Sequence, residues 1–169
     1  ERLVGSEMCI RDRYGSPMRI IEAVEAVNER QKEIVVRKLA AELGDLRGRT
    51  VALWGLAFKP ETDDMREAPA LVAIDRLTCA GAVVRVYDPA AMDECRRRVG
   101  DAVVYCSDMY EAVVDADALV LLTEWKQFRL PSWTVIRKVM ANPLVIDGRN
   151  IYDKAELVAE GFTYKAIGK

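Results

Sequence analysis

Short apolar runs alternate with helix-like segments along most of this chain, and that alternation constrains the fold more than any other feature of the sequence. Several runs, such as Ala118–Leu122, are apolar throughout, as expected of strands buried on both faces. Strands that alternate with helices predict a parallel sheet with helices on both faces. Since such crossovers are right-handed, we expect a Rossmann-like, doubly wound α/β domain. The predicted strands are Thr50–Leu56, Val83–Tyr87, Val103–Cys106, Ala118–Leu122, Leu144–Asp147 and Phe162–Ile167.

Helix signals fill the intervals between these strands. Pro69 suits the first position of a helix, and Gly81 suits its end. Ser107 is the predicted N-cap of a later helix. The predicted helices are Pro69 to Cys79 or Ala80, a polar segment ending at Gly100, Met109–Val114, Ser132–Met140 and Asp153–Glu160.

A longer helix is predicted ahead of the sheet. Ser16 and Pro17 suit its N-cap and first position, the register breaks near Gln31, and Gly44 suits its end. A helix of that length is a rod of roughly 40 Å, too long for a small domain to cover, so its apolar stripe requires a neighbouring domain or a second subunit. We therefore divide the chain into a long helix over residues 14–46 and a Rossmann-like domain over residues 47–169. The stripe comprises Ile20, Ile21, Val24, Val27, Ile34, Val35, Leu39 and Leu43.

The first thirteen residues show neither a helical nor a strand period. Two interpretations remain open for residues 1–13, a translated read-through that is not native or a disordered natural terminus. Under either one, we expect the chain to start in the middle of a longer protein.

Composition excludes several function classes. With 25 Lys and Arg against 27 Asp and Glu, the net charge is -2 and the charges are mixed along the chain, so neither nucleic-acid nor polybasic membrane binding is expected. No apolar run approaches the roughly 18 residues that span a bilayer. The four cysteines form no CxxC pair, which indicates reduced thiols and a cytoplasmic protein. Histidine, the commonest general base and metal ligand, is absent from the sequence, and no metal site is predicted.

Charged loops follow three of the predicted strands, and in a parallel sheet their ends share one edge. The loop Gly55–Pro69 carries Lys59 and Arg66, and Arg149 lies after the strand that ends at Asp147. A third loop runs from Thr123 to Phe128. Ligands bind at the carboxyl ends of such strands. Positive charge gathered there in an acidic chain predicts an anionic ligand, such as a diphosphate.

The dinucleotide fingerprint G-x-G-x-x-G is missing. The first strand ends in the single glycine Gly55, and Asp88 lies 33 residues beyond it (88 minus 55), whereas the fingerprint requires about 20. Phe58 would also obstruct the approach of a pyrophosphate to the backbone. The domain is therefore expected to be Rossmann-like without binding NAD in its own right.

Five short motifs together resemble the UDP-glucose/GDP-mannose dehydrogenase family. They are the run Gly55–Pro69 (GLAFKPETDDMREAP), Tyr87-Asp88-Pro89, Thr123-Glu124-Trp125, Asp147-Gly148-Arg149 and the terminal Ile167-Gly168-Lys169, which fall in the family's order. The segment 26–31 (AVNERQ) resembles the helix that joins the family's two domains and forms its dimer interface. The resemblance covers residues 14–169 and leans toward the UDP-glucose branch.

The resemblance implies a C-terminal fragment that binds the nucleotide sugar. By this resemblance Phe58 and Lys59 contact the UDP-sugar, with Lys59 near its phosphates. Arg149 reaches the sugar pocket, in the family often from the partner subunit. Arg66 contacts NAD held by the other domain.

The family's reaction oxidises the sugar C6 alcohol to a carboxylate by two successive hydride transfers to NAD, through a thiohemiacetal on a cysteine. That cysteine and the glycine-rich NAD loop belong upstream of Tyr14, so no catalytic residue is assigned here. Cys79, Cys95 and Cys106 in particular are not assigned as the nucleophile. Cys79 and Cys106 are expected to be small, buried, inert thiols.

Structural alternatives stand beside these assignments. Arg149 could pair with Asp147, and Arg66 could pair with Asp63 or Asp64. The acidic residues beside Arg66 could hold a metal or form an acid/base pair, although a solvated cluster is commoner. Trp125 and Phe128 are expected to pack the loop against the domain rather than to stack on a base.

Functional alternatives also remain open. The chain could be a free-standing nucleotide-sugar-binding module without catalysis, part of a family member acting on another nucleotide sugar, or an interaction protein whose helix only pairs chains. The UDP-glucose reading is the main prediction, with a homodimer formed through the long helix.

Overall fold

The computed structural model describes residues 19–168 and confirms the doubly wound α/β fold. All strand pairs are parallel, and the sheet order is β3-β2-β1-β4-β5-β6. The order reverses between β1 and β4, as in a Rossmann sheet. The strands are β1 (Thr50–Trp54), β2 (Val83–Tyr87), β3 (Val104–Tyr105), β4 (Ala118–Leu121), β5 (Leu144–Asp147) and β6 (Thr163–Ala166).

Helices connect successive strands and lie close to their predicted positions. Two short 3₁₀ turns, Gly100–Ala102 and Lys126–Phe128, complete the connections. The helices are α1 (Arg19–Lys32), α2 (Ile34–Leu43), α3 (Pro69–Cys79), α4 (Met92–Val99), α5 (Met109–Val113), α6 (Trp133–Val139) and α7 (Lys154–Ala159).

The central strands β1, β4 and β5 are buried on both faces of the sheet. Along β1, Val51 and Leu53 point into one hydrophobic cluster, whereas Ala52 and Trp54 point into the other. The first cluster includes buried residues of α2, α3 and α4, and the second includes those of α5, α6 and α7. This two-sided burial is why the central strands are continuous apolar runs rather than alternating ones.

The N-terminal helical region divides at Glu33. Helix α1 belongs to one compact unit, and the chain from Glu33 onward forms a second. The interruption lies close to the predicted register break at Gln31, and Gly44 ends α2 with φ of 69° as predicted. The boundary between residues 46 and 47 stays a prediction. The predicted start at Ser16–Pro17 and the segment 1–13 lie outside the described residues.

The apolar stripe has different surroundings in the two helices. In α2, Val35 and Leu39 are buried in the core of the Rossmann unit. In α1, none of the described residues is buried, and Ile20, Val24 and Val27 are 81%, 50% and 45% exposed. The exposed apolar residues of the predicted stripe therefore lie in α1, and its buried residues lie in α2.

Two local predictions were wrong. Asp108, not Ser107, caps α5, because its carboxylate accepts hydrogen bonds from the N–H groups of Tyr110 and Glu111. Cys79 is exposed, because it lies on the solvent-facing side of α3, whose buried side carries Ala73, Ile74 and Leu77. Cys95 and Cys106 are buried. Burial raises the pKa of both buried thiols, which makes them poor nucleophiles.

Within residues 19–168, no helix has the length and apolar character needed to cross a bilayer.

Candidate functional site

The candidate site lies at the carboxyl ends of β1 and β4. These strands are neighbours, and the chain winds outward from them in opposite directions, to β2 and β3 on one side and to β5 and β6 on the other. In open α/β sheets, ligands bind at this point, outside the carboxyl ends of the strands. The charged loops singled out in the sequence follow β1, β4 and β5, so the fold brings them to this edge.

Asp88, directly after β2, holds the loops at this edge of the sheet together. Its side chain is 1% exposed. Five N–H groups donate to its carboxylate at 2.7 to 3.2 Å, three to Oδ2 and two to Oδ1. They come from the loop after β1, the start of the segment that leads into α4, and an indole in the loop after β4. The donors are the backbone N–H groups of Leu56, Ala57, Ala90 and Ala91 and Nε1 of Trp125.

The five hydrogen bonds to Asp88 bear on whether this domain could bind a dinucleotide such as NAD. In a nucleotide-binding Rossmann unit, an acid after the second strand accepts hydrogen bonds from the ribose hydroxyls. A carboxylate offers about four lone-pair positions, and the five donors leave none for a ribose at Asp88. Asp88 therefore does not fit the part that this acid has when NAD is bound in the usual Rossmann manner.

The loops after β1 and β4 approach each other very closely. The Thr123 hydroxyl donates to the Ala57 carbonyl at 2.5 Å, and both residues are buried. Gly55 has φ of +87°, and a Cβ placed on it would lie 2.5 Å from Cβ of Thr123. Only glycine fits this approach without displacing the neighbouring loop.

Asp147 organises the loop after β5 in a similar way. It is fully buried, and its carboxylate accepts from the N–H groups of Arg149, Ile151 and Tyr152 and from the hydroxyl of Tyr164. The pairing suggested between Asp147 and Arg149 thus involves the arginine backbone and not its guanidinium.

The guanidinium of Arg149 pairs instead with Glu124, in the loop after β4. The contact is bidentate, from Nε to Oε2 and from Nη2 to Oε1, the latter at 2.9 Å. Hydrogen bonding to Arg149 lowers the pKa of Glu124, so this carboxylate is charged at neutral pH. The pair bridges the loops after β4 and β5.

Lys59 and Phe58 lie on the exposed part of the loop after β1. Phe58 is 53% exposed, and its N–H donates to the carbonyl of Asp64, which closes the loop. Lys59 is exposed, and within residues 19–168 its ammonium has no hydrogen bond or ion pair. An exposed ammonium without a protein partner at this edge of the sheet can bind an anionic ligand.

Arg66 forms a bidentate ion pair with Asp64, one of the two alternatives named from the sequence. The contacts measure 3.0 Å and 2.8 Å, and the arginine side chain is 77% exposed. Hydrogen bonding to Arg66 lowers the pKa of Asp64 to about 2. Among the described residues, no group of His, Cys, Asp or Glu is arranged to hold a metal ion.

The aromatic residues of the loop after β4 are structural, as expected. Phe128 is fully buried and stacks on Trp54 with ring centroids 5.1 Å apart. Trp125 is held by the hydrogen bond from its indole to Asp88 at 3.0 Å.

The structure thus brings the loops of Phe58, Lys59 and Arg149 to one edge, with Arg66 on the same long loop as Lys59. Sequence reasoning missed what holds them in place, namely the buried acid Asp88 and the ion pair of Arg149 with Glu124. The motifs Tyr87-Asp88-Pro89 and Thr123-Glu124-Trp125 contained these acids, but three of the five donors to Asp88 and the partner of Glu124 lie 25 or more residues away, and no spacing rule indicates them.

Comparison with known proteins identifies the family to which this domain is similar. The UDP binding domain of the UDP-glucose/GDP-mannose dehydrogenase family matches residues 52–154. A UDP-glucose 6-dehydrogenase of Pseudomonas aeruginosa is 48% identical over 165 residues, which cover 94% of this chain and 36% of that protein. A UDP-glucose 6-dehydrogenase of Rhizobium meliloti is 43% identical, covering 92% of this chain and 36% of that protein.

A solved structure has a similar fold. A UDP-glucose dehydrogenase from the hyperthermophilic archaeon Pyrobaculum islandicum superposes with a TM-score of 0.80 at 32% identity, covering 96% of this chain and 35% of that one. The chain spans about a third of the length of the curated relatives it matches. The fold, the loops at the switch point and the match over residues 52–154 show that this chain belongs to the UDP-glucose/GDP-mannose dehydrogenase family.

Proposed function

We propose that this chain is the C-terminal, UDP-sugar-binding part of an NAD-dependent UDP-glucose 6-dehydrogenase, which oxidises UDP-glucose to UDP-glucuronate. The observation that carries the proposal is the unpartnered ammonium of Lys59 at the switch point, in a chain that is 48% identical to a UDP-glucose 6-dehydrogenase over most of its own length. A nucleotide sugar brings a diphosphate, which is the anion that an exposed lysine suits.

Each candidate residue has a distinct part in this proposal. Lys59 binds the diphosphate, Phe58 lies against the ligand through its exposed ring, and Arg149 donates hydrogen bonds toward the sugar. Arg66 extends from the same loop toward NAD. The NAD itself is held outside this chain in this proposal, since the sequence lacks the dinucleotide fingerprint and the five donors to the Asp88 carboxylate leave it no free lone pair.

The overall activity is tested with the intact protein that carries this chain. We expect two NADH formed for each UDP-glucose consumed, measured by absorbance against the amount of sugar supplied. No NADH from any nucleotide sugar, combined with tight binding of UDP-glucose, would favour the free-standing binding module. NADH formed only from a UDP-N-acetylhexosamine would keep the family and change the substrate.

Lys59→Ala is expected to weaken UDP-glucose binding by about thirtyfold, because it removes a charge-assisted contact to phosphate. UDP alone should lose affinity by the same factor, since the lysine acts on the part that the two ligands share. Isothermal calorimetry on the intact protein measures both. The matched control is Lys126→Ala, at an exposed lysine that is already paired with Glu61 at 3.2 Å. Equal losses in the two variants would contradict a specific role for Lys59.

We also propose that the intact protein is a homodimer that buries the exposed stripe of α1. Ile20, Val24 and Val27 follow one another at steps of four and three residues and are 81%, 50% and 45% exposed, so they form one apolar face of the helix. Val24→Asp is expected to shift the sedimentation profile from dimer toward monomer. The control is Val158→Asp, at a valine of α7 that is 55% exposed outside this stripe. A wild-type protein that sediments as a monomer would contradict the proposal.

A further inference from the structure

Glu124 holds Arg149 by one edge of its guanidinium only. The bidentate contact uses Nε–H and one N–H of Nη2. An arginine carries five N–H donors in a plane, so three remain, on Nη1 and on the outer side of Nη2. Within residues 19–168 these three N–H groups donate to no acceptor. The unpaired edge is the one that can donate two parallel hydrogen bonds to a ligand.

Both partners of this ion pair lie on anchored segments of the chain. The residues before and after Glu124 are anchored, Thr123 to the Ala57 carbonyl and Trp125 to the buried Asp88. On the other side, the N–H of Arg149 donates to buried Asp147 at 2.9 Å. These contacts hold the loop that carries Glu124 next to the loop that carries Arg149.

We infer that Glu124 is a positioning residue for UDP-sugar binding, which orients the Arg149 guanidinium so that its free edge faces the ligand. This inference rests on the proposed function. Without Glu124 the arginine side chain gains rotamer freedom that ligand binding must then remove. The alternative role, a carboxylate that occupies Arg149 and competes with the ligand, requires Glu124 to use the edge that the structure leaves open.

The two roles predict opposite results for Glu124→Gln. Positioning predicts that UDP-glucose binding weakens by roughly tenfold, because an amide accepts one hydrogen bond from the guanidinium and opposes the other. Competition predicts tighter binding, because a negative charge near the ligand is lost. Calorimetric titration of UDP-glucose into the intact protein decides between them, and tighter or unchanged binding overturns the inference.

A double-mutant cycle separates positioning from a general structural effect. Lysine at position 149 keeps the charge but has no planar fork, so Glu124→Gln should cause no further loss in the Arg149→Lys background. The thermal midpoint of Glu124→Gln should match that of wild type, since ion pairs at this exposure contribute little to stability. A tenfold loss that persists in the Arg149→Lys background would show that Glu124 acts by another route.

The matched control is the second ion pair between loops at this edge. Lys126 and Glu61 join the loops after β4 and β1 at 3.2 Å, with side chains 91% and 70% exposed. Glu61→Gln removes the same kind of charge and should leave UDP-glucose binding within about twofold of wild type. If the wild-type protein binds no UDP-glucose, the proposed function fails. If it binds and Glu124→Gln matches Glu61→Gln, only this inference fails.

Discussion

Asp88→Asn is expected to lower the free energy of unfolding by about 3 kcal/mol and to abolish measurable UDP-glucose binding at micromolar ligand. The carboxylate is buried and accepts five hydrogen bonds, three of them at Oδ2. An asparagine replaces one carboxylate oxygen with an NH₂ group. The NH₂ group donates hydrogen bonds and cannot accept them, so the backbone N–H groups that faced that oxygen lose their acceptor. Buried donors left without an acceptor each destabilise by about 1–3 kcal/mol.

Binding should suffer because the same carboxylate holds the loop after β1. The N–H groups of Leu56 and Ala57, directly before Phe58 and Lys59, both donate to Oδ2 of Asp88. Their release shifts the loop that carries the proposed diphosphate contact. Urea denaturation followed by circular dichroism measures the stability, and calorimetry measures the binding.

Asp63→Asn is the matched control for this prediction. It makes the same chemical change on an exposed acid of the loop after β1. Exposed substitutions of this kind usually change stability by less than about 0.5 kcal/mol. If the two variants unfolded at the same urea concentration, Asp88 would not be the anchor described above.

Gly55→Ala is expected to destabilise the fold by roughly 4 kcal/mol, a loss large enough to prevent stable expression of the variant. Two effects add at this position. The backbone has φ of +87°, which strains any residue with a Cβ, and that Cβ would lie 2.5 Å from Cβ and 2.6 Å from the backbone nitrogen of Thr123. The obstacle includes main-chain atoms, so it cannot rotate aside as a flexible side chain would.

Gly100→Ala separates the two effects. Gly100 also has a positive φ, +62°, but no atom lies within 4 Å of a Cβ placed there. Its substitution carries only the backbone strain, of about 1 kcal/mol. Thermal unfolding of both variants gives the difference due to the close approach of the loops after β1 and β4. Equal midpoints would mean that these loops separate easily.

The strand and helix pattern could be predicted from the sequence because each signal is local. Val83–Tyr87 and Leu144–Asp147 have the same bounds in the structure as in the prediction, since each is a short run rich in strand-forming residues with turn residues at both ends. The Asp108 cap was missed because Ser107 is an equally good capping residue, and only the backbone conformation distinguishes them.

The candidate site was predictable only in part. The positions of Lys59 and Arg149 at one edge follow from the parallel sheet, which the alternation of strands and helices in the sequence predicts. The partner of Arg149 does not follow, because Glu124 lies 25 residues away on another loop and Asp147 is the nearer acid along the chain. The inward orientation of Asp88 likewise depends on donors that only the folded loops bring together.

The buried anchoring of these loops has a kinetic consequence. A ligand that meets loops already fixed by Asp88, Asp147 and Thr123 needs to order only exposed side chains, such as Lys59 and Phe58. Little conformational entropy is then lost within this chain during association, and no slow loop-closing phase is required of it. Stopped-flow traces for UDP-glucose should therefore show a single phase whose rate rises linearly with ligand concentration.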